Sequence, residues 1–593
     1  MTKLDMSWDL SQMVDGASAT EVKKKIEEKT KGFEKLVETY SKKIPDMSAA
    51  HIASMIEEFE EAIVETSNYM GYARLRYSAD TTDKEARELN YTQNNASSRI
   101  SSARTKLEIA LGKELLKRKE LLEAKELADV VHYFERLVRR APYRLSEQEE
   151  ALISEKDVSG IETLYQLQEA WVSQKTFEVE IEGKKKTISL PQMSSLRMDP
   201  DRSIREMATK KLYESYAHDK LLHSTALRGI CADHVAISKR RGMPSAMTQS
   251  LLDQDVTEET VMALLDAIEG TASRFQEFLK LKAKFFGFDK LLGHDVIAPW
   301  TTEPTWTLEY PQAKEIVVDS FSSFDGEIGK VIQDMFEGKR IDAENRVGKP
   351  NTAFCAGWQK AKKSFILMSY SPTLGDLYTL AHENGHAAQG HMIYQTQRPI
   401  NYRGSSCMAE TGSIFGELLL TEKLLAKSEE DDQKLEVLSN VLNDFYYTTY
   451  YVATRALFEI ELYKNIEQGE LIDAELACNE WQAAKDRIFG DVVDWTEYME
   501  WEWARIPHFF FPNYRFYNYS YSFAQMLVFA VYEDYKKGEA DFNERFRKLL
   551  ASGGSKSPAE QIEEFGYNLS DPGFWELGPR TADRLLADLK KLI

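Results

Sequence analysis

From Ser18 to about Arg140 the apolar positions recur every three or four residues, as in Ile26, Phe33, Leu36 and Tyr40, or Leu107, Leu111, Leu115 and Leu116. That is the period of a helix with one buried face, and the region holds a single proline, Pro45, so the pattern predicts long amphipathic helices. The period changes at Phe177–Leu190, FEVEIEGKKKTISL, where Phe177, Val179 and Ile181 alternate with Glu178, Glu180 and Glu182 before Gly183, the signature of one β-hairpin. Beyond Pro191 helical spacing returns, broken by loops at Gly242–Pro244, Pro299–Pro311 and Arg346–Asn351, with no repeat at a fixed period. Ser364–Tyr370, SFILMSY, lies between a lysine pair and Ser371-Pro372 and reads as a further short strand. The longest apolar run, Phe523–Tyr532, is interrupted by Gln525 and too short to cross a bilayer, so it is expected as a buried helix in a chain without membrane spans. The expected fold is mainly α, a large multi-helix architecture with a small β element. The expected division is 1–195, a helical region ending in the hairpin, and 196–593.

Composition narrows the function classes. Hydrophobic residues at 43% and charged residues at 29% fit a globular protein rather than a disordered one. Acidic residues exceed basic ones, 96 − 75 = 21, so a net charge of −21 repels phosphate backbones and nucleic acid is not an expected partner. The cysteines Cys231, Cys355, Cys407 and Cys478 form no CxxC pair, which argues against a disulfide framework or a cysteine zinc finger. A reducing cytoplasm fits, and the N-terminus MTKLDMSWDLSQ shows no apolar stretch of a secretory signal.

Chemistry concentrates in AHENGHAAQGH, residues 381–391, where His382, Glu383 and His386 make HExxH. On a helix, histidines at i and i+4 stand about 40° apart around the axis and one turn apart along it, so both imidazoles reach one Zn2+. Glu383 is then placed to act as general base on the metal-activated water. With 10 histidines in 593 residues, a chance HExxH has odds of about one or two in a hundred. Gly385 adds weight, because a glycine inside a helix costs about 1 kcal/mol against alanine and calls for a reason, such as close approach of another backbone or of substrate.

A catalytic zinc needs a third protein ligand and an open position. SCMAETGSIFGELLLTEKLLA supplies Glu410, which is 410 − 386 = 24 residues after the second histidine and separated from the first helix by loop signals at Arg398-Pro399 and Gly404-Ser405-Ser406. Glu417, seven residues further on, projects from nearly the same face and is suited to hold a ligand histidine by hydrogen bonding; an ordinary solvated glutamate is the alternative. His391 points elsewhere on its helix, and His51, His132, His218, His223, His234 and His294 have no comparable neighbours, so these read as structural.

TLAHENGHA, the later MAETGS and the downstream HFFFPNYRFYNYSYSF together resemble the oligoendopeptidase F group within the thimet oligopeptidase family of zinc metallopeptidases. RIDAENRVGKPNTAFC and SFILMSY echo the same group, so the resemblance runs from about Asp201 to the C-terminus. It implies a helical enzyme that cleaves short peptides inside a deep channel. It also implies one Zn2+ per chain on His382, His386 and Glu410, with Glu383 as general base. A histidine and tyrosines of the downstream segment stabilise the oxyanion in that family. His508 matches the histidine, Tyr514 and Tyr521 best match the tyrosines, and a one-residue difference in spacing leaves Tyr517 and Tyr519 as alternatives. Members carry a glycine ahead of the segment present here as Ala353-Phe354-Cys355, where this chain has Thr352, so no substrate-contact role is assigned to that loop.

The oxyanion chemistry stands on its own: water adding to a peptide carbonyl puts negative charge on its oxygen, and a preorganised histidine or phenol donor lowers that barrier by a few kcal/mol. The strand at Ser364–Tyr370 is a candidate exposed edge on which an extended peptide adds a strand, with a buried structural strand as the alternative. The leading reading is a zinc endopeptidase acting on oligopeptides. A helical zinc carboxypeptidase is the nearest competitor, an aminopeptidase lacks its GxMEN motif here, and a non-catalytic peptide-binding protein is the alternative of another class. The several hundred residues beyond the two metal-bearing helices then serve as channel walls. If part of the acidic excess lines that channel, cationic peptides should enter faster at low salt.

Overall fold

The computed structural model describes residues 6–181, 183–301 and 303–593. It is 72% helical, with a few short strands and no closed sheet, as the periodicity predicts. Glu182 of the hairpin alternation and the first five residues of the N-terminal segment lie outside the described residues.

By contacts the chain forms two units, each assembled from separate stretches. One comprises Met1–Pro142, Pro304–Glu429 and Asp534–Asn568; the other comprises Tyr143–Glu303, Glu430–Glu533 and Leu569–Ile593. Residue 195 thus lies inside the second unit rather than between units.

After a short helix at Ser11–Val14, the first unit continues with α1 (Ala19–Ser41), α2 (Ala49–Ala79), α3 (Lys84–Lys117) and α4 (Val131–Arg140). Helix α1 starts where Ser18 and Glu21 exchange hydrogen bonds as a capping box, which satisfies donors left open by the first turn. Its buried residues Val22, Ile26, Phe33 and Val37 follow the helical period; Phe33 and Val37 join Ile52, Phe59 and Leu111 in one core, and Val22 and Ile26 join Ala73 and Leu89 in another. Three strands follow, β1 (Ile341–Asp342), β2 (Phe354–Trp358) and β3 (Lys363–Leu367). Then come α5 (Leu374–Thr396), α6 (Thr411–Lys427) and α7 (Phe542–Ala551).

The sheet order is β1-β3-β2, with β3 parallel to β1 and antiparallel to β2. This corrects the expectation placed on Ser364–Tyr370. The strand there is central, ends at Leu367, and has Ser364 through Leu367 buried, so it is not the exposed edge. The edges are β1 and β2, the longer of them, β2, paired with β3 from Phe354↔Leu367 to Trp358↔Lys363. The extra neighbour, β1, is two residues long, too short to leave an alternating pattern in sequence.

In the second unit the expected hairpin forms between Thr176–Ile181 and Lys184–Ser189, turning at Gly183 with φ +71°. The apolar run Phe523–Tyr532 lies buried within the helix Tyr519–Tyr535. Among the described residues no helix is long and apolar enough to cross a membrane.

Candidate metal centre

Helix α5 begins where the Thr373 hydroxyl accepts from the Asp376 backbone N–H at 3.2 Å, so HExxH falls in the helix interior as predicted. Glu410 does not sit within a helix: it is the N-cap of α6, just after the short helix Ser406–Ala409. Its carboxylate therefore lies at the positive end of the α6 dipole. Ser413 Oγ donates to it at 2.7 Å.

Helices α5 and α6 meet backbone to backbone. A Cβ on Gly385 would run into the Gly412 carbonyl and lie 2.5 Å from Ser413 Cα, and a Cβ on Gly412 would lie 2.5 Å from the Gly385 oxygen. This is the close approach that the mid-helix glycine foretold. Gln389, one turn beyond His386, completes the joint, donating to the Met408 carbonyl at 2.9 Å and accepting from the Gly412 N–H at 3.1 Å.

The result is a compact donor set. Glu410 Oε2 stands 3.3 Å from His382 Nε2 and 3.2 Å from His386 Nε2. Among the described residues His382, His386 and Glu410 are the one group of three whose ligand atoms all lie within 4.8 Å of one another. His382 Nδ1–H donates to Glu417 Oε1 at 2.5 Å, which fixes the tautomer and leaves the Nε2 lone pair for a metal. Burial works against the His382 imidazolium, but Glu410 and Glu417 outweigh it and hold its pKa up at about 11. Burial likewise opposes the Glu410 charge, and the two imidazoles outweigh it and keep the carboxyl ionised far into acid. Two imidazoles, one carboxylate and a local demand for positive charge fit a divalent cation.

Glu383 is 6% exposed, and its Oε2 is buried without a hydrogen-bond partner. Burial raises its pKa, opposed by the charges of His386 and His382. Around these groups lies a cavity of about 630 Å³, reached by Cys355 and Gly357 of β2 and by Tyr394 of α5. Sequence reading singled out neither Gln389 nor Tyr394; Gln389 carried the one available signal, its spacing of three from His386. Replacing Glu417 by Ala should weaken metal binding about 10–100-fold while the fold persists, read by competitive chelator titration; unchanged affinity would show that the Glu417 contact does not orient His382.

In the second unit, His508, Tyr514 and Tyr517 lie just ahead of the helix Tyr519–Tyr535, whose first turn carries Tyr519 and Tyr521. His508 Nε2 is 3.2 Å from the Tyr521 hydroxyl, and its ring stacks on Tyr517 at 6.2 Å between centroids. Tyr517 in turn packs edge-on against Tyr514 and Tyr521. Burial and the nearby Arg455 guanidinium pull the His508 pKa below its ordinary value, so the ring is neutral at neutral pH. Tyr514 and Tyr521 are 46% and 38% exposed, whereas Tyr519 is 1% exposed and shares its hydroxyl with Ser250 Oγ at 3.3 Å.

Two residues that sequence reading passed over hold the segment ahead of that helix. Arg515 donates to the carbonyls of His508, Phe509 and Tyr514, the last at 2.6 Å. Buried Glu459 accepts from the Phe516 N–H at 2.8 Å, at a residue held with φ +50°, and burial pushes its pKa up to about 7.

Comparison with known proteins identifies the family. The family model of peptidase family M3 matches residues 195–578, and a second, Oligopeptidase F, matches 110–170. Oligopeptidase PepF of Bacillus subtilis is 25% identical over 562 residues, covering 93% of this chain and 82% of its own. The plasmid-encoded oligoendopeptidase F of Lactococcus lactis subsp. cremoris is 25% identical over 87% of each chain. Among solved structures, a chain from Chlamydophila abortus superposes with a TM-score of 0.86 at 19% identity, over 99% of this chain and 98% of that one. Oligoendopeptidase F from Enterococcus faecium gives 0.69 at 20% identity, over 98% and 99%. With a family model spanning well over half of its length and a two-histidine, one-glutamate cluster on the expected residues, this chain belongs to peptidase family M3, in its oligoendopeptidase F group, and is a metallo-endopeptidase.

Proposed function

We propose that the chain hydrolyses short peptides internally with one Zn2+ held by His382, His386 and Glu410. The observation that carries this reading is the convergence of those three ligand atoms within 4.8 Å beside a buried Glu383 oxygen that has no partner. The donor set of two imidazoles and one carboxylate is that of a catalytic zinc with a position left open. When bound, Zn2+ supplies Lewis-acid chemistry, polarising the scissile carbonyl and making water acidic enough to attack near neutral pH.

The remaining steps fall to the chain. Glu383 Oε2 takes a proton from the attacking water and returns it to the departing amine. Tyr521, hydrogen-bonded to His508 and partly exposed, is the tyrosine assigned to the oxyanion, with Tyr514 as the second candidate; Tyr519, buried on Ser250, is set aside. The exposed edge of β2 offers backbone groups to an extended peptide, which gives affinity with little sequence demand. Residues 196–593 hold all of these groups. The four cysteines form no disulfide, which supports a cytoplasmic setting.

A length series of end-blocked peptides tests this, with products identified by mass spectrometry and metal-depleted enzyme as control. Internal cleavage of blocked peptides that stops on metal removal and returns with Zn2+ is the expected result. Strict dependence on a free C-terminus would replace the endopeptidase with a carboxypeptidase.

A further inference from the structure

The row of positions that carries His382 and His386 continues along α5. Gly390 and Tyr394 follow at the same spacing of four, each one turn further on and about 40° around the axis from the last. All four residues line the metal cavity of about 630 Å³, whose lining lies wholly within the first unit. Gly390 thus stands between the metal donors and an aromatic end wall, where the rings of Tyr394 and Tyr402 meet edge to face at 4.8 Å between centroids. Ile393 and Met408 add apolar surface to the same cavity.

Neighbouring glycines of this region have a packing reason. Gly385 admits the backbone of α6, and Gly357 of β2 admits Tyr394, because a Cβ on Gly357 would run into the Tyr394 hydroxyl. Gly390 has no such neighbour. A Cβ on it would meet Ser364 Oγ at 3.4 Å and Tyr394 Cε2 at 3.7 Å, which is ordinary van der Waals contact. Its φ is not positive either, so neither packing nor backbone conformation calls for glycine there. A glycine inside a helix nonetheless costs stability against alanine. What the missing side chain provides is room in the cavity, between His386 and the Tyr394–Tyr402 pair. Two phenol rings with aliphatic surface beside them favour burial of an apolar group, and of an aromatic one above all.

We propose that Gly390 is a specificity-determining residue, opening a pocket that ends at Tyr394 and Tyr402 and takes one large apolar side chain of the bound peptide. The pocket deepens the peptidase reading and rests on it. Its size preference belongs to one position of the peptide, the one whose side chain follows α5 away from the metal.

Binding rather than turnover tests the proposal. Full-length, zinc-loaded Glu383→Gln enzyme is titrated calorimetrically with end-blocked peptides of one sequence in which Ala, Leu or Phe stands in turn at each position. At one position Phe should bind about 10-fold more tightly than Ala. Adding Gly390→Ala should shrink that ratio, and Gly390→Leu, which fills the space, should abolish it. Gly390→Ala should also keep its metal and melt at the same or a higher temperature, since the helix exchanges glycine for alanine. A lower melting temperature with lost metal would make Gly390 a packing residue and overturn the proposal. Equal affinities for Ala, Leu and Phe at every position, or a Phe preference that survives both substitutions, would overturn it as well. Cleavage assays on wild-type enzyme keep the two readings apart. Peptides that bind through a large side chain yet are never cut would refute the peptidase role alone, and peptides cut without any size preference would refute the pocket alone.

Discussion

Glu383→Gln should keep the metal and lose on the order of 10³-fold in kcat, the size of effect that removal of a general base produces. The side chain is 6% exposed, and its Oε2 makes no hydrogen bond within the protein, so the near-isosteric amide fits the same space without disturbing His382, His386 or Glu410. What changes is basicity, since an amide oxygen does not hold the proton taken from water. The measurement pairs kcat on an end-blocked peptide with metal content per chain. A variant that retains both its metal and its turnover would remove Glu383 from the mechanism; one that loses its metal would show that the side chain supports the site rather than the chemistry.

Gly385→Ala carries the largest structural effect. In a free helix the change would be favourable by about 1 kcal/mol. Here the new Cβ meets backbone, the Gly412 carbonyl and Ser413 Cα, which no rotamer change relieves. Overpacking of this kind costs about 1–3 kcal/mol, and because α6 itself must move, the cost should exceed the helix-propensity gain and leave a net loss near 2 kcal/mol. The displaced helix begins at Glu410, so metal affinity should fall together with the melting temperature. Gly375→Ala is the control on the same helix: nothing lies within 4 Å of its Cβ, so it should leave both quantities unchanged or slightly improved. Equal melting temperatures and equal metal affinities for the two variants would mean that the Gly385–Gly412 contact does not set the site.

Local patterns made much of this legible. The i, i+4 histidines carry their own geometry once a helix is granted, and the stretch after Pro372 holds no proline to prevent one. Gly385 announced a close neighbour without naming it. Glu410 was found by donor chemistry and distance along the chain, yet its position as a helix cap was not, since two short helices abut there. The edge strand was misassigned because β1, two residues from a distant stretch, decides which strand is central. The tyrosines resisted ranking because they straddle the start of a helix, and the segment ahead of it follows no period and is held by Arg515 and by Glu459 at Phe516, whose φ is positive.

The sequence alone thus determined the helical class and pointed to the candidate metal donors and base, His382, Glu383 and His386 through spacings of four residues or fewer and Glu410, 24 residues further on, through donor chemistry. Tertiary structure alone decided that β3 is central in its sheet, that Tyr519 is buried while Tyr514 and Tyr521 are partly exposed, and that arginines from α3, α4 and a distant loop line one cavity in an acidic protein. Those facts depend on residues tens to hundreds of positions apart, and no local period records them.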